Sequence, residues 1–229
     1  MKRITTLLLA LGILAAAPTI AVAQLTEEMR RDGWVSIFDG ATLEGWRQND
    51  TGNNAGVFRV EDGSIVGTGG RQHLYFMEEF TNFELMLDAK INNDGNSGVF
   101  VKSQWQDNAW PTSGFEVQIN SSHSDPQRTG SLWSIVRWPN VTHGDDEWFT
   151  LHIICRGNDI TVRVNDETLY TYTCQRAGRG GGQGAGQGAA PPQITEQNRR
   201  ISQSGYIALQ QHHDGSVVHF RNIFVRRLP

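Results

Sequence analysis

The sequence lacks the features that mark several large classes of protein. Its 20 lysines and arginines are outnumbered by 24 aspartates and glutamates, and no basic run is longer than Arg226-Arg227. Phosphate backbones are bound by basic surfaces, so nucleic acid is a poor candidate partner. The chain also has no GxSxG, HExxH, CxxC, GxGxxG or GxxxxGK[ST] motif. These absences argue against a nucleophile elbow, a motif-based zinc site and a phosphate-binding loop.

Cysteine is nearly absent, with only Cys155 and Cys174 in the whole chain. The pattern of residues 148–173 predicts a meander of three antiparallel strands joined by tight turns. In that register Cys155 shares a face with Ile153, whereas Cys174 lies with Tyr172 on the opposite face, two strands away. The Cα atoms of a disulfide lie at most roughly 7 Å apart, so we expect two free thiols. A bulge in the meander would allow the bond, and this alternative stays open.

The longest apolar run lies at the start of the chain and is too short to span a membrane. Lys2 and Arg3 precede it, and Ala21-Val22-Ala23 follows as a cleavage site. This organisation is typical of a secretory signal peptide over residues 1–23. The residue directly after the cleavage site is not a cysteine to which a lipid could be attached, and no later apolar run approaches spanning length. For both reasons we expect no membrane anchor. We therefore expect an exported protein, periplasmic or secreted.

Long amphipathic helices are missing as well, and short strand patterns recur instead. Residues 56–67 read as a hairpin around Asp62-Gly63, and residues 83–91 alternate apolar and polar side chains. About a dozen such strands predict one all-β domain over residues 24–229, built as a two-sheet sandwich or a barrel. Within it, residues 176–193 are rich in Gly and Gln, which predicts a flexible loop.

One stretch, residues 93–120, combines strand patterns with side chains that could carry chemistry. The apolar residues of the predicted strand 115–119 share one face, so Glu116 and Gln118 lie together on the other. A carboxylate beside an amide, close to tryptophans, is typical of a concave sugar-binding site. The alternative is that both residues form the solvated face of an antiparallel strand.

Histidine and tryptophan supply the remaining candidate groups. His212 and His213 follow the predicted strand 205–211, where a histidine can act as a general base near neutral pH or lie in a surface turn. Four tryptophans lie close together in sequence, and we expect one or two to face a ligand while the others pack. These are Trp105, Trp110, Trp133 and Trp138.

Short motifs follow one another along nearly the whole chain after the signal peptide. The first is GWVSIFDG at 33–40, with Gly45-Trp46 after it. The later ones are VEDG at 60–63, NFEL at 82–85, GNSGVF at 95–100, GFEVQI at 114–119, TGSL at 129–132 and FRNI at 220–223. This ordered set resembles the 3-keto-disaccharide hydrolase family, also described as a 3-keto-glucoside 1,2-lyase/hydratase domain.

The resemblance implies a concanavalin-like jelly-roll sandwich of two antiparallel sheets, with the ligand on the concave sheet. It implies a small-molecule carbohydrate partner, namely a glycoside already oxidised at C3. In similar proteins a strand glutamate, here Glu116, and a histidine after Leu-Gln, here His212, line the pocket. The family usually has Asp-His-Gly after Leu-Gln, whereas this chain has Gln211-His212-His213. This departure leaves His213 as an alternative to His212.

The implied chemistry needs few groups. A ketone at C3 acidifies the hydrogen on C2, so that a base removes it, the aglycone leaves C1 and water adds back. We assign His212 as the base and Glu116 as the acid or as a ligand to a divalent metal ion, which is then a candidate cofactor. The further residues expected to bind the substrate are Asn96, Gln118, Arg128, Trp133, Gln210, His213 and Trp105. Of these, Asn96, Gln118 and Arg128 would orient the substrate or stabilise an oxyanion.

Two other functions fit the same sequence features, because a fold does not fix a function. One is a non-catalytic carbohydrate-binding module, which would lose affinity without its tryptophans and show no turnover. The other is a laminin-like adhesion domain, which would bind a protein partner. The choice between hydrolysis and elimination with hydration is left open by the sequence, as are the sugar, the linkage and the oligomeric state.

Overall fold

The protein is described here by a computed structural model over residues 25–107, 110–174 and 204–229. The predicted signal peptide, 1–23, and the Gly/Gln-rich stretch, 176–193, both lie outside these residues. The described part contains one short α-helix, one turn of 3₁₀ helix at Gly52–Asn54 and thirteen strands. The predicted dominance of short strands is confirmed.

The strands form two sheets in which every pairing is antiparallel. The larger, eight-stranded sheet has the order β11-β10-β9-β6-β13-β4-β3, with β1 paired to β13, and the smaller has the order β2-β5-β12-β7-β8. The strands are β1 Trp34–Ser36, β2 Trp46–Gln48, β3 Gly56–Glu61, β4 Ser64–Gly69, β5 Gln72–Phe80, β6 Phe83–Ile91, β7 Ser97–Ser103, β8 Phe115–Ile119, β9 Phe149–Arg156, β10 Asp159–Val164, β11 Glu167–Thr173, β12 Gly205–Gln211 and β13 Val218–Arg227.

The core lies between the two sheets and follows the period-two alternation of the strands. In β8, Phe115, Val117 and Ile119 are buried in it, together with Val99 and Val101 of the neighbouring β7. Because successive side chains of a strand point to opposite faces, the residues between these belong to the other face of the smaller sheet. This is the face that carries the candidate site.

The chain enters the fold through the helix α1, Glu27–Arg31. Thr26 caps it by accepting a hydrogen bond from the backbone N–H of Met29 at 3.1 Å. The helix is only five residues long and none of them is buried. Among the residues described here, no helix is both long and apolar enough to cross a membrane.

Both cysteines are buried and neither forms a disulfide. The expected free thiols are confirmed, but the expectation of opposite faces is wrong. Ile160 of β10 pairs with Cys155 on one side and with Tyr172 on the other, so all three share the core face. Cys174 follows two residues after Tyr172 and also joins the core. What separates the thiols is distance, since β9 and β11 are two strand spacings, roughly 9.5 Å, apart.

We predict that unreduced protein, once denatured, will take up two thiol-alkylating groups per chain. The physical reason is that the strand spacing between β9 and β11 exceeds the reach of a disulfide. Intact-mass spectrometry before and after alkylation measures this directly. A chain that takes up no label and is lighter by two hydrogens would show that β11 bends back to close the bond.

Candidate active site

A pocket of about 280 Å³ opens on the outer face of the smaller sheet. Strands β7, β8 and β12 supply its floor, and residues from five separate loop positions supply its walls. Ten residues line it: Asn96, Phe100, Trp110, Pro111, Glu116, Gln118, Asp125, Trp133, Gln210 and His212. The pocket is therefore rich in carboxyl, amide, imidazole and aromatic groups.

Glu116 lies on the pocket floor as a buried carboxyl group. A Cβ atom on Gly98 of the adjacent β7 would lie only 2.5 Å from its Oε1, so the absence of a side chain there makes room for the carboxyl. Gln210 of β12 donates a hydrogen bond from Nε2 to the same oxygen at 2.9 Å.

Burial controls the protonation of this carboxyl group. It raises the pKa of Glu116 to about 8; the charge of Asp125 acts in the same direction, and the hydrogen bond from Gln210 opposes them. Desolvation penalises the charged form of an acid, which accounts for the sign. Glu116 is consequently protonated at neutral pH and can donate a proton into the pocket.

Three amide side chains surround the carboxyl and present unused hydrogen-bonding groups. Gln118 donates from Nε2 to Asn96 Oδ1 at 2.8 Å. The Oε1 atoms of Gln118 and Gln210 are buried, and neither has a partner among the described residues. Leaving a buried acceptor unsatisfied costs about 1–3 kcal/mol. A ligand that brings several hydroxyl donors, as a sugar does, would satisfy both.

His212 is the basic group of the pocket. Its Nδ1 lies 3.2 Å from Nδ1 of His213, and its ring packs against Trp110 with centroids 5.0 Å apart. Burial lowers its pKa to about 4, and the neighbouring His213 and His123 rings act in the same direction. His212 is therefore neutral at pH 7, the form in which an imidazole can accept a proton.

Of the four tryptophans singled out from the sequence, two face the pocket and two pack elsewhere. Trp110 and Trp133 line the pocket, and each is 40% exposed. Trp105 does not line the pocket and instead packs against Tyr75 with tilted rings and centroids 5.1 Å apart. Trp138 packs against the core. The expectation that one or two tryptophans face a ligand agrees with this division, although Trp105 was assigned to the ligand-facing group.

Six residues expected to form the site come together in the pocket: Asn96, Glu116, Gln118, Trp133, Gln210 and His212. Arg128 does not line it. Its guanidinium donates to Asn120 Oδ1 and to the backbone carbonyls of His123 and Asp125, so it fixes the shape of the 120–128 loop. His213 also lies outside the lining, behind His212. The structure thus separates the two adjacent histidines, which the sequence left as equivalent bases.

Four pocket residues were not expected from the sequence: Phe100, Trp110, Pro111 and Asp125. Phe100 pairs with Glu116 across β7 and β8, so its place on the same face follows from the strand register. Trp110 is one of the four tryptophans singled out from the sequence, but it was not among the expected substrate-binding residues. Asp125 lies in an irregular loop, where no periodicity indicates the direction of a side chain.

A divalent ion is not well matched to the donors in the pocket. Among the residues that the structure describes, no group of three or more His, Cys, Asp or Glu is arranged to hold a metal ion. No step of the chemistry below is therefore assigned to a metal.

Comparison with known proteins places these features in a wider group. The sequence model of a family described as the 3-keto-alpha-glucoside-1,2-lyase-like domain matches residues 33–226. A 3-keto-disaccharide hydrolase of Bacteroides thetaiotaomicron is 28% identical over an alignment that covers 86% of this chain and 79% of that protein.

Two crystal structures of proteins from Parabacteroides distasonis, for each of which glycosyl hydrolase activity has been suggested, have similar folds. The first has a TM-score of 0.71 at 23% identity and covers 91% of this chain and 100% of its own. The second has a TM-score of 0.66 at 25% identity, with 85% and 99% covered. The expected all-β jelly-roll sandwich of two antiparallel sheets is confirmed.

We predict that Glu116→Gln stabilises the protein at pH 8 but has little effect near pH 5. Between the ordinary pKa of 4.5 and the folded value of about 8, the folded protein keeps a proton that the unfolded chain has lost. Wild-type stability therefore falls across this range as pH rises, by an amount on the order of 3 kcal/mol. Glutamine has the same shape and no charge to bury, so the variant escapes this loss.

Thermal or urea unfolding of both proteins from pH 5 to pH 8 measures the effect. The contribution of His212 is common to both proteins and cancels in the difference. As a control, Glu44→Gln changes an exposed carboxyl and should leave the difference flat with pH. A constant difference for Glu116→Gln would mean that Glu116 is ionised in the folded protein.

Proposed function

This chain belongs to the family of 3-keto-alpha-glucoside-1,2-lyase-like domains, and from that premise we propose that it cleaves the glycosidic bond of a 3-keto-glycoside or 3-keto-disaccharide. The observation that carries the proposal is the pairing of protonation states in one pocket. A carboxyl group with a pKa of about 8 faces the same space as an imidazole with a pKa of about 4. At neutral pH the acid holds its proton and the base is free to accept one.

The first step uses the base. The ketone at C3 of the sugar makes the C2 hydrogen acidic, and His212 takes this proton while the electron pair forms an enolate over C2 and C3. Gln118 and Gln210 each donate one N–H of the side-chain amide, to Asn96 and Glu116 respectively, and each has a second N–H to offer a substrate. These donors are suited to stabilise the enolate oxygen, because they are fixed in a largely buried site.

The second step uses the acid. The enolate reforms the C3 ketone as the bond between C1 and the aglycone oxygen breaks, and Glu116 gives that oxygen its proton. Water then adds to C1 of the unsaturated sugar. The ionised Glu116 takes one proton from this water, and the protonated His212 returns its proton to C2. Both groups end in their starting forms, and the net reaction is hydrolysis.

The size and lining of the pocket fit a single sugar ring at the reacting centre. Its volume of about 280 Å³ lies near the lower limit of ligand pockets, roughly 300–1,000 Å³. Trp110 and Trp133 present flat apolar surfaces at its walls, on which the carbon-bound hydrogens of a sugar can pack. We propose that the reacting ring is held here and that the aglycone extends towards solvent.

A second candidate function is ordinary glycoside hydrolysis by two carboxyl groups. Asp125 lines the pocket with Glu116, and its charge contributes to the raised pKa of Glu116, as in the acid of a conventional pair. The Asp125 carboxylate, however, already accepts a hydrogen bond from the backbone of Gln127 at 2.8 Å within its own loop. This use favours a structural role for Asp125 and leaves His212 as the base.

The place of action follows from the predicted signal peptide. We propose that the protein is exported and meets its carbohydrate outside the cytoplasm. Its substrate must already carry the ketone, so the enzyme acts after a reaction that oxidises the C3 hydroxyl of a glycoside.

We predict that Glu116→Gln and His212→Ala each lower the turnover of 3-keto-sucrose or 3-keto-trehalose by about a hundredfold or more, because each removes a proton-transfer group. Turnover is measured by following the release of the free sugars by chromatography. His219→Ala serves as a matched control, because His219 lies on β13 of the other sheet. If wild-type protein binds these sugars without converting them, it is a binding module.

We also predict that the reaction in D₂O incorporates deuterium at C2 of the released 3-keto sugar. The N–H that His212 gains from C2 exchanges with D₂O while the unsaturated sugar is bound, so deuterium is returned to C2, whereas direct hydrolysis by two carboxyl groups leaves the C2 bond intact. NMR or mass spectrometry of the product reads the label. To correct for exchange of the free product, the same sugar is incubated with Glu116→Gln protein. Unlabelled C2 together with loss of activity in Asp125→Asn would instead support the carboxylate pair.

A further inference from the structure

Behind His212, away from the pocket, runs a chain of hydrogen bonds that ends at a backbone amide. The N–H of Asn96 donates to Ser216 Oγ at 2.9 Å. Ser216 Oγ lies 2.8 Å from His213 Nδ1, and His213 Nδ1 lies 3.2 Å from His212 Nδ1. The direction of each bond decides which nitrogen of His212 carries a proton.

The direction can be derived from Ser216, because its hydroxyl is fully buried. The amide of Asn96 can only donate, so it uses a lone pair of Oγ. The Ser216 hydroxyl hydrogen must then find an acceptor, and among the described residues the one recorded beside it is His213 Nδ1. The reverse assignment would leave a buried hydroxyl hydrogen unpaired, at a cost of about 1–3 kcal/mol. Ser216 therefore donates, and His213 Nδ1 carries a lone pair.

His212 must complement this lone pair. Two unprotonated nitrogens at 3.2 Å would repel each other, so the proton between the rings belongs to His212 Nδ1. The two distances agree with this arrangement, since the shorter bond at 2.8 Å comes from Ser216 and the longer one shares the same acceptor. A neutral imidazole carries one N–H, so Nε2 of His212 is left with the lone pair.

The surroundings keep both rings in this arrangement. The backbone N–H of Ser216 donates to the carbonyl of His213 at 2.9 Å, and Gln211 Nε2 donates to the same carbonyl at 2.8 Å. The ring of Trp110 covers His212 at 5.0 Å. His123 is near, but its Nδ1 already accepts the backbone N–H of Asp125 at 3.0 Å, so it does not compete for the His212 proton.

We infer that Ser216 and His213 are positioning residues that hold His212 as the tautomer with its proton on Nδ1 and its lone pair on Nε2. Because Nδ1 faces His213, Nε2 is the nitrogen turned towards the pocket. The inference rests on the proposed function only for what this lone pair does, namely take the C2 proton. The tautomer itself is a property of the ligand-free protein.

The test is NMR of ring-¹⁵N-labelled histidine in the ligand-free protein, with His212 assigned by substitution. Wild type should show His212 protonated at Nδ1. His213→Leu removes the acceptor and should move the proton to Nε2, the form that a free imidazole prefers. His213→Asn places an amide oxygen near the former Nδ1 and should restore the wild-type pattern. Ser216→Ala frees His213 to donate and should act like His213→Leu.

Kinetics supply a second reading. His213→Leu should lower kcat for a 3-keto-disaccharide by about tenfold or more while KM changes little, and His213→Asn should recover most of this loss. A wild-type His212 with its proton on Nε2, or a His213→Leu protein with an unchanged tautomer, overturns the inference. If the tautomer is as expected but wild type converts no 3-keto-glycoside, the proposed function fails and the tautomer assignment stands.

Discussion

The desolvation of one carboxyl group on the open face of a sheet is the constraint on which the site depends. Glu116 is buried at a position where strand alternation would ordinarily place a solvated side chain. Only a neutral carboxyl is inexpensive to bury, so its environment determines its chemical role as well as its shape. Gly98 leaves the space and Gln210 supplies one directed hydrogen bond. The rest of the pocket is arranged around this group.

Burial has the opposite effect on protonation at His212: it lowers the pKa of the imidazole, whereas it raises the pKa of the Glu116 carboxyl group. The burial that keeps Glu116 protonated also keeps His212 neutral. Burial is the largest cause at both groups and prepares an acid and a base at the same pH, and the charge of Asp125 adds to it at Glu116. Proton transfer next to a ketone suits such a pocket, because it begins from uncharged protein groups.

The parts of the site differ in how firmly they are held. Glu116, Gln118 and Gln210 lie within paired strands, where ladder hydrogen bonds fix the backbone. The wall that includes Asp125 depends instead on Arg128, which donates to three oxygens of its own loop. The floor of the pocket is thus held by strand pairing, whereas this wall is held by side-chain hydrogen bonds within its own loop.

The sequence by itself determined the sheet faces, because strand alternation is a local property with a fixed period of two. It was enough to put Glu116 with Gln118 on the face opposite the core, and to place His212 at the end of its strand. Tertiary structure decided what depends on long-range packing. It brought Asp125 and Trp110 into the pocket, directed Arg128 into its own loop and set His213 behind His212. Loops have no period from which to read direction, and their positions follow from contacts between segments distant in sequence.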